Sequence, residues 1–264
     1  MKKSITRDRV WQQLGQIALP DSRHHFDFNS FIPDFLGSDR AVARLTDLPV
    51  YQNARLLFIA PDNCLELLRW QCLCDGKSII MTTYGIRRGF WLLDPALIHP
   101  QDYRYAASLD GMERVAQPVS LTEDIHAKGI VLSLLVTGTG AINMRGIRVG
   151  KGHGFFDLEW AMLWSVGAVS TSSVIAAIVH DCQLLDEELQ PEDFDTVCDV
   201  VVTPTRTVEV SGAKKPDLGI IWPLLRPGML EDIPPLRELQ AKYTNKYSAI
   251  VQSSIRVSGD PINR

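Results

Sequence analysis

Unbroken apolar runs alternate with amphipathic stretches along most of this chain. Ala54 to Ala60, interrupted only by Arg55, predicts a strand of the kind buried in parallel sheets. Pro61-Asp62 ends it and opens a helix through about Cys74, with Leu65, Leu68 and Cys72 on one face. Asp75-Gly76-Lys77 turns the chain into a second strand, Ser78 to Thr82. This is a β-α-β unit with lengths suited to a right-handed crossover. Ile130 to Val136, Ser173 to Val179 and Asp199 to Val202 read as further buried strands, the last followed by Thr207 to Val210. Asp157 opens a helix whose Leu158, Ala161, Met162 and Ser165 share a face. Ile5, Val10, Leu14 and Ile17 predict an N-terminal helix over 3–16, and Ser38 reads as the cap of a helix from Asp39 to Leu45. Residues 18–37 are turn-rich, 84–127 irregular with Pro95, Pro100 and Pro118, and the chain is proline-rich after Trp222, with a last helix from Leu236 and a polar tail. Strands alternating with helices predict a layered α/β/α domain with a mostly parallel central sheet, over 1–222, with 223–264 as an extension packed on it or trailing from it. In such sheets ligands sit beyond the carboxyl ends of strands, where the segments after Val136, Val179 and Val202 all fall.

Composition narrows the class. The 264 residues are 45% hydrophobic and 22% charged, ordinary globular usage for a chain able to bury a sizeable core. A net charge of −4, with no basic stripe and no RNA-recognition sequence, argues against a nonspecific nucleic-acid binder. Five scattered cysteines, with Cys72 and Cys74 as C-x-C, complete no zinc site and read as reduced thiols of a cytoplasmic protein. Polar residues follow the first four, so no signal peptide is expected, and no apolar run of about 18 residues suggests a membrane span.

Chemistry concentrates in Arg148-Val149-Gly150-Lys151-Gly152-His153-Gly154-Phe155-Phe156-Asp157. Glycines let backbone N–H groups approach a phosphate and adopt positive φ. Lys151 and Arg148 can neutralise phosphate charge, and the following helix start adds donors and a favourable dipole. Asp157 can hold Mg²⁺, which favours one or two carboxylates plus phosphate oxygens. The spacing G-x-G-x-G is neither of the two common phosphate motifs, and a tight strand-to-helix connection that binds nothing would use the same glycines.

The Arg-x-Gly-x-Gly-x-Gly-aromatic-aromatic-Asp pattern resembles the signature of the 5-formyltetrahydrofolate cyclo-ligases, also called methenyltetrahydrofolate synthetases. Lys3-Ser4-Ile5-Thr6-Arg7 resembles the family's N-terminal Lys-x-x-x-Arg, and Asp195 to Thr203 its closing segment. Phe31 to Gly37, Val179 to Gln183, Thr203 to Arg206 and Gly219 to Trp222 resemble the cyclo-ligase domain-containing branch. The resemblance implies a cyclo-ligase-like fold of the NagB/RpiA/CoA-transferase-like kind. It implies ATP and Mg²⁺, with phosphoryl transfer to the formyl oxygen of 5-formyltetrahydrofolate, attack by N10 and loss of phosphate. By position, Gly150, Gly152 and Gly154 cradle phosphate with His153, Phe155 and Phe156 around them. Lys151 and Arg148 pair with it, Lys3 and Arg7 reach the nucleotide, and Asp157 and Asp195 stand near Mg²⁺.

The folate side departs from the family. A Tyr and a Glu usual after the first strand are absent, and Asp62 and Glu66 are the available substitutes there. Leu158-Glu159 stands where the family carries a basic residue, and Glu159 is placed to face Lys151. His180, at a strand end, is a further substrate candidate. Two other readings therefore stay open: an ATP-dependent enzyme acting on another small molecule, a thiamin-related one included, and a non-catalytic nucleotide- or partner-binding module. The remaining pairs are read more plainly. Sequence adjacency does not give Cys182 and His180 the spatial pairing that nucleophilic catalysis needs, His24-His25 lacks a third metal ligand, Arg87-Arg88 either binds a carboxylate or phosphate group or is solvated, and Lys214-Lys215 reads as solvated.

Overall fold

A computed structural model describes residues 3–242 and 244, the side chains of residues 3 and 4 excepted. Eleven strands follow one another along the chain: β1 (Leu56–Ile59), β2 (Ser78–Thr82), β3 (Phe90–Leu93), β4 (Gln117–Val119), β5 (Leu134–Thr137), β6 (Ala141–Asn143), β7 (Arg148–Val149), β8 (Val174–Ile178), β9 (Leu184–Leu185), β10 (Val200–Val202) and β11 (Thr207–Glu209). Eight form the main sheet, in the order β11-β10-β8-β5-β1-β2-β3-β4. The run from β10 to β2 is parallel, and β11, β3 and β4 are antiparallel additions at its edges. Leu57, Phe58, Ile59, Leu134, Leu135 and Val136 are fully buried. Helices cover both faces there, which is why these strands read as unbroken apolar runs.

From β1 the chain crosses to β2 on one side, whereas β5 lies on the other. The sheet's topological switch point therefore falls between the carboxyl ends of β1 and β5. The two ends are tied together, since Gly138 N–H donates to Asp62 Oδ2 at 2.8 Å. A Cβ at Gly138 would meet Cys64 Sγ at 2.7 Å and Ile32 Cγ2 at 2.9 Å, so only glycine permits this approach.

A three-stranded sheet, β7-β6-β9, stands beside the main one. The N-terminal helix Lys3–Leu14 packs Val10 against it, with Ala141, Ile147, Val149, Leu189 and Val197 in a separate small core. This lobe carries the glycine segment, which leaves β7 and enters the helix Phe155–Ser165.

The structure corrects several expectations. The 84–127 stretch is not merely irregular: β3 pairs with β2, and β4 pairs with β3. Pro118 is tolerated because β4 is an edge strand with no partner for a missing N–H. Ser38 lies within the helix Ser38–Thr46, and the capping position is Gly37 at φ 88° with no side-chain cap. A 3₁₀ turn, Asn63–Leu65, delays the helix after β1 to Glu66–Cys74. The helix after the glycines begins at Phe155 and buries Phe156, Glu159, Trp160, Met162 and Leu163, not the face of Leu158, Ala161 and Ser165. Beyond 222, Ile233, Leu236 and Leu239 join the main core, the last two on a helix over 234–242. Glu238 of that helix accepts from Ser120 Oγ and Thr122 N–H, both at 2.6 Å. The rest of the expected tail lies outside the described residues. Among them no helix is long and apolar enough to cross a membrane.

Candidate functional site

At the switch point the ends of β1 and β5, the glycine loop and the start of the helix Phe155–Ser165 enclose a cavity of about 280 Å³. Gly152 (φ 94°) and Gly154 (φ 72°) hold left-handed conformations, and Gly154 is the residue that caps the helix. Both positions thus require glycine, and the helix N-terminus with its unpaired N–H groups faces the cavity.

Cations reach the loop from separate elements. Lys151 Nζ donates to the Ser30 carbonyl at 3.3 Å and lies 5.3 Å from the Tyr84 ring centroid. Burial pulls its pKa below the usual lysine range, opposed by the carboxyls of Asp62 and Glu159. Arg7, on the N-terminal helix, stacks 5.1 Å over Trp11, and its buried Nε has no hydrogen-bond acceptor among the described residues. Arg148 pairs with Asp157 at 2.5 Å, donates through Nε to the Thr196 carbonyl at 3.2 Å and stacks 4.6 Å over Phe156. Burial opposes its charge, but Asp157 and neighbouring acidic groups hold its pKa above the ordinary value. His153 stacks on Phe155 at 5.5 Å. Its pKa is lowered by burial and by Lys151, Arg226 and Arg7.

The acidic side is equally dense. Asp157 accepts from Thr196 N–H at 2.9 Å and Thr196 Oγ at 2.7 Å. With the Arg148 bond, all of these fall on Oδ1. Asp195 lines the same wall, and its Oδ2 accepts from Glu192 N–H at 2.9 Å. Carboxylate oxygens at one wall, beside N–H groups and cations suited to phosphate, are the hard donor set that Mg²⁺ takes with a polyphosphate. Asp62 is 8% exposed, and burial raises its pKa, against the pull of Lys151. Glu159, 2% exposed, accepts from Thr82 Oγ. Burial first, then Asp62 and Asp157, push its pKa up to about 8 despite that bond.

The candidates read from the sequence thus divide. Arg7, Asp62, Arg148, Gly150, Lys151, Gly152, His153, Gly154, Phe155, Phe156, Asp157 and Asp195 line one cavity. Lys3 starts the N-terminal helix, but its side chain lies outside the described residues. Glu66 does not reach the cavity: the 3₁₀ turn before it leaves its side chain exposed on the outer surface. Nor does His180, whose β8 is separated from β1 by β5. Its Nδ1 instead accepts from Cys182 N–H at 3.2 Å, and its ring meets the Phe35 edge. The turns after β8 and β10 converge with each other, since Asp181 accepts from Thr203 Oγ at 2.6 Å, and not with the glycine loop. Cys182 is an unpromising nucleophile because burial raises its pKa. His24 packs on Phe31, and no cluster of three metal-binding side chains occurs among the described residues. Arg87 and Arg88 pair with Asp232 and Glu113 at the surface. Lys215 is not solvated: its side chain is 5% exposed and bonds Asp199 at 2.7 Å.

Sequence reasoning missed Tyr84, Phe194, Thr196 and Arg226, all on the cavity wall. Tyr84 follows the end of β2, a strand-end signal that could have found it; its hydroxyl donates to Asn63 Oδ1 at 3.0 Å. Arg226 carries no local signal.

Comparison with known proteins bears on the family and the fold. The 5-formyltetrahydrofolate cyclo-ligase family matches residues 1–204. A human (Homo sapiens) methenyltetrahydrofolate synthase domain-containing protein is 33% identical over 250 residues, covering 92% of this chain and 62% of its own. The mouse (Mus musculus) protein of the same name is 31% identical over 248 residues, covering 92% and 64%. The chain therefore spans about three fifths of the length of these relatives. The NMR structure of Aquifex aeolicus 5,10-methenyltetrahydrofolate synthetase superposes with a TM-score of 0.50 at 17% identity, covering 81% of this chain and 96% of that one, and has the same fold.

Proposed function

The chain belongs to the 5-formyltetrahydrofolate cyclo-ligase family, and from that premise we propose that it is an ATP- and Mg²⁺-dependent ligase converting 5-formyltetrahydrofolate to 5,10-methenyltetrahydrofolate. The observation that carries the reading is the meeting of Arg7, from the N-terminal helix, with Arg148 and Lys151 of the glycine segment, whose Gly152 and Gly154 hold left-handed conformations, and with Asp157 and Asp195 in one cavity. Backbone N–H groups of Gly150 to Gly154 cradle the phosphates, and the three cations balance their charge. Mg²⁺, held by Asp157 and Asp195, supplies further positive charge at the phosphate oxygens. The γ-phosphoryl group passes to the formyl oxygen, N10 attacks the formyl carbon, and the C–O bond breaks to release phosphate. Lys151 steadies the charge of the transferring group. The N10 proton goes to Asp62, a buried carboxyl on the wall; Glu159, which burial keeps protonated, cannot take it. Such transfers ask the protein mainly to position groups and stabilise charge, which this arrangement suits. The reaction is placed in the cytoplasm, where the five cysteines, all free, remain reduced.

The test is to supply ATP, Mg²⁺ and 5-formyltetrahydrofolate and to follow methenyl absorbance together with ADP. Both should rise in equal amounts; neither rising overturns the proposal. A second reading keeps the nucleotide and changes the acceptor. It is favoured by the two buried carboxyls, Asp62 and Glu159, at the acceptor end of the cavity, where the family's usual Tyr and Glu are absent. A screen in which another metabolite, and not the folate, stimulates phosphate release would select it.

A further inference from the structure

One cation at the glycine loop comes from outside the family-matched residues, which end at 204. Arg226 donates through Nη2 to the Gly152 carbonyl and lines the cavity with Arg7 and Lys151. On the other side of that glycine, Arg7 Nη1 stands 3.0 Å from where a Cβ would project. Two guanidiniums, one from each end of the chain, thus bracket the middle glycine of the loop. No carboxylate lies within ion-pair distance of Arg226 among the described residues, and its hydrogen bond there is to a neutral carbonyl. The depressed pKa of His153 reports the same crowding of charge, with burial as the largest cause and Lys151, Arg226 and Arg7 behind it.

The segment that delivers Arg226 is held in place. Trp160 Nε1 donates to the Pro216 carbonyl at 2.9 Å, and Ile220 N–H to Ser165 Oγ at 3.3 Å. A Cβ at Gly219 would fall 2.4 Å from Ser165 Oγ, so the strap is pressed against the helix Phe155–Ser165. Leu218, Ile220, Leu224, Leu225 and Met229 face that helix across an apolar cleft of about 200 Å³. After Arg226 the chain turns at Gly228 (φ 87°).

We propose that Arg226 is a polyphosphate-binding residue, which with Arg7 clamps the phosphates of a nucleoside triphosphate over Gly152. This rests on the loop being the phosphate site of the function proposed above. A guanidinium presents five donors in a planar fork that matches phosphate oxygens better than a single carbonyl, so ligand oxygens outcompete Gly152 for it.

The test titrates ATP·Mg²⁺, and separately inorganic tripolyphosphate, into the full chain by calorimetry. Wild type is compared with Arg226→Gln, Arg226→Lys and a surface control, Arg237→Gln. Arg226 and Arg237 are both exposed, so the variants should keep the wild-type melting temperature. Loss of a charge-assisted bond predicts that Arg226→Gln weakens both ligands about tenfold or more, with Arg226→Lys in between and the control unchanged. Equal binding by wild type and Arg226→Gln overturns the assignment. If wild type binds tripolyphosphate but not ATP and Arg226→Gln loses it, Arg226 stands and the ATP reading falls. If wild type binds neither, both fall.

Discussion

Replacing Glu159 by glutamine should remove a pH-dependent weakness of the fold. The side chain is 2% exposed on the helix Phe155–Ser165 and receives a hydrogen bond from Thr82. Burial, Asp62 and Asp157 raise its pKa from 4.5 to about 8. In the unfolded chain it ionises near the lower value, so between the two the folded protein holds a proton that the unfolded chain has released. The associated stability is complete below the unfolded pKa and is lost as pH rises through the folded one. At about 1.4 kcal/mol per pKa unit, the shift predicts a loss of about 3 kcal/mol by pH 7 and about 4 kcal/mol by pH 8. Glutamine keeps an oxygen for Thr82 and never ionises. Urea melts of both proteins at pH 5, 6, 7 and 8 check this. The variant should match wild type within about 1 kcal/mol at pH 5 and exceed it by several kcal/mol at pH 8. A difference constant across that range refutes the raised pKa. A variant that grows less stable than wild type as pH rises would mean that Glu159 is ionised and paired with Lys151.

The other substitutions separate the phosphate site from its scaffold. Gly152→Val places a β-branched residue at φ 94°, with its Cβ 3.0 Å from Arg7 Nη1, and should abolish ATP binding in a titration while costing only about 1–3 kcal/mol of stability. Lys151→Met should leave the melting temperature within a few degrees of wild type and slow phosphoryl transfer roughly a hundredfold or more; turnover within twofold of wild type would remove Lys151 from the chemistry. Arg69→Met should be the most damaging to the fold. Arg69 is fully buried and donates to the carbonyls of Ala107 at 2.7 Å, Ala60 at 3.0 Å and Asp62 at 3.1 Å; the Asp62 carbonyl also accepts from Leu65 N–H, so losing Arg69 strands the Ala107 and Ala60 carbonyls. A loss of roughly 3–5 kcal/mol in denaturant melts is expected, and a neutral outcome would show that the end of β1 holds itself without it.

What was legible in the chain follows from what each element packs against. β1, β2, β5, β8 and β10 are covered on both faces, so their apolar runs announce them. β3 and β4 are antiparallel additions at the sheet edge; β4 carries Pro118 and no apolar run, and the four apolar residues of β3, Phe90 to Leu93, stand among irregular segments without the helix that frames the parallel strands. The helix Phe155–Ser165 misled for the opposite reason. Phe155, Phe156, Trp160, Leu163 and Trp164 leave it apolar nearly all round, so spacing cannot choose a face. Glu159, read from the sequence as facing Lys151 near the helix start, lies in the second turn and is buried against Thr82, a contact no local rule signals. The phosphate half of the site was legible because one continuous segment encodes it. Tyr84 and Arg226 reach the same cavity through the sheet order and the strap, which no window of sequence contains.

The charges around the cavity favour the proposed metal, although no preformed cage for one exists among the described residues. The wall carries the cations Arg7, Arg148, Lys151 and Arg226, and the acids Asp62, Asp157, Glu159, Glu192 and Asp195. Glu159 stays protonated below about pH 8, and Arg148 is already engaged by Asp157. The side chains of the wall are therefore close to internal balance. A triphosphate adds several negative charges to a partly buried space in which Asp157 and Asp195 already stand, and there charges are screened far less than in water. The arginines and Lys151 compensate part of that load. The remainder calls for a divalent cation that takes one or two carboxylates and completes its shell with phosphate oxygens, which is the manner in which Mg²⁺ binds. If the loop binds a nucleoside triphosphate as proposed, the metal and the nucleotide create each other's site, and the acidic residues on the wall serve the metal.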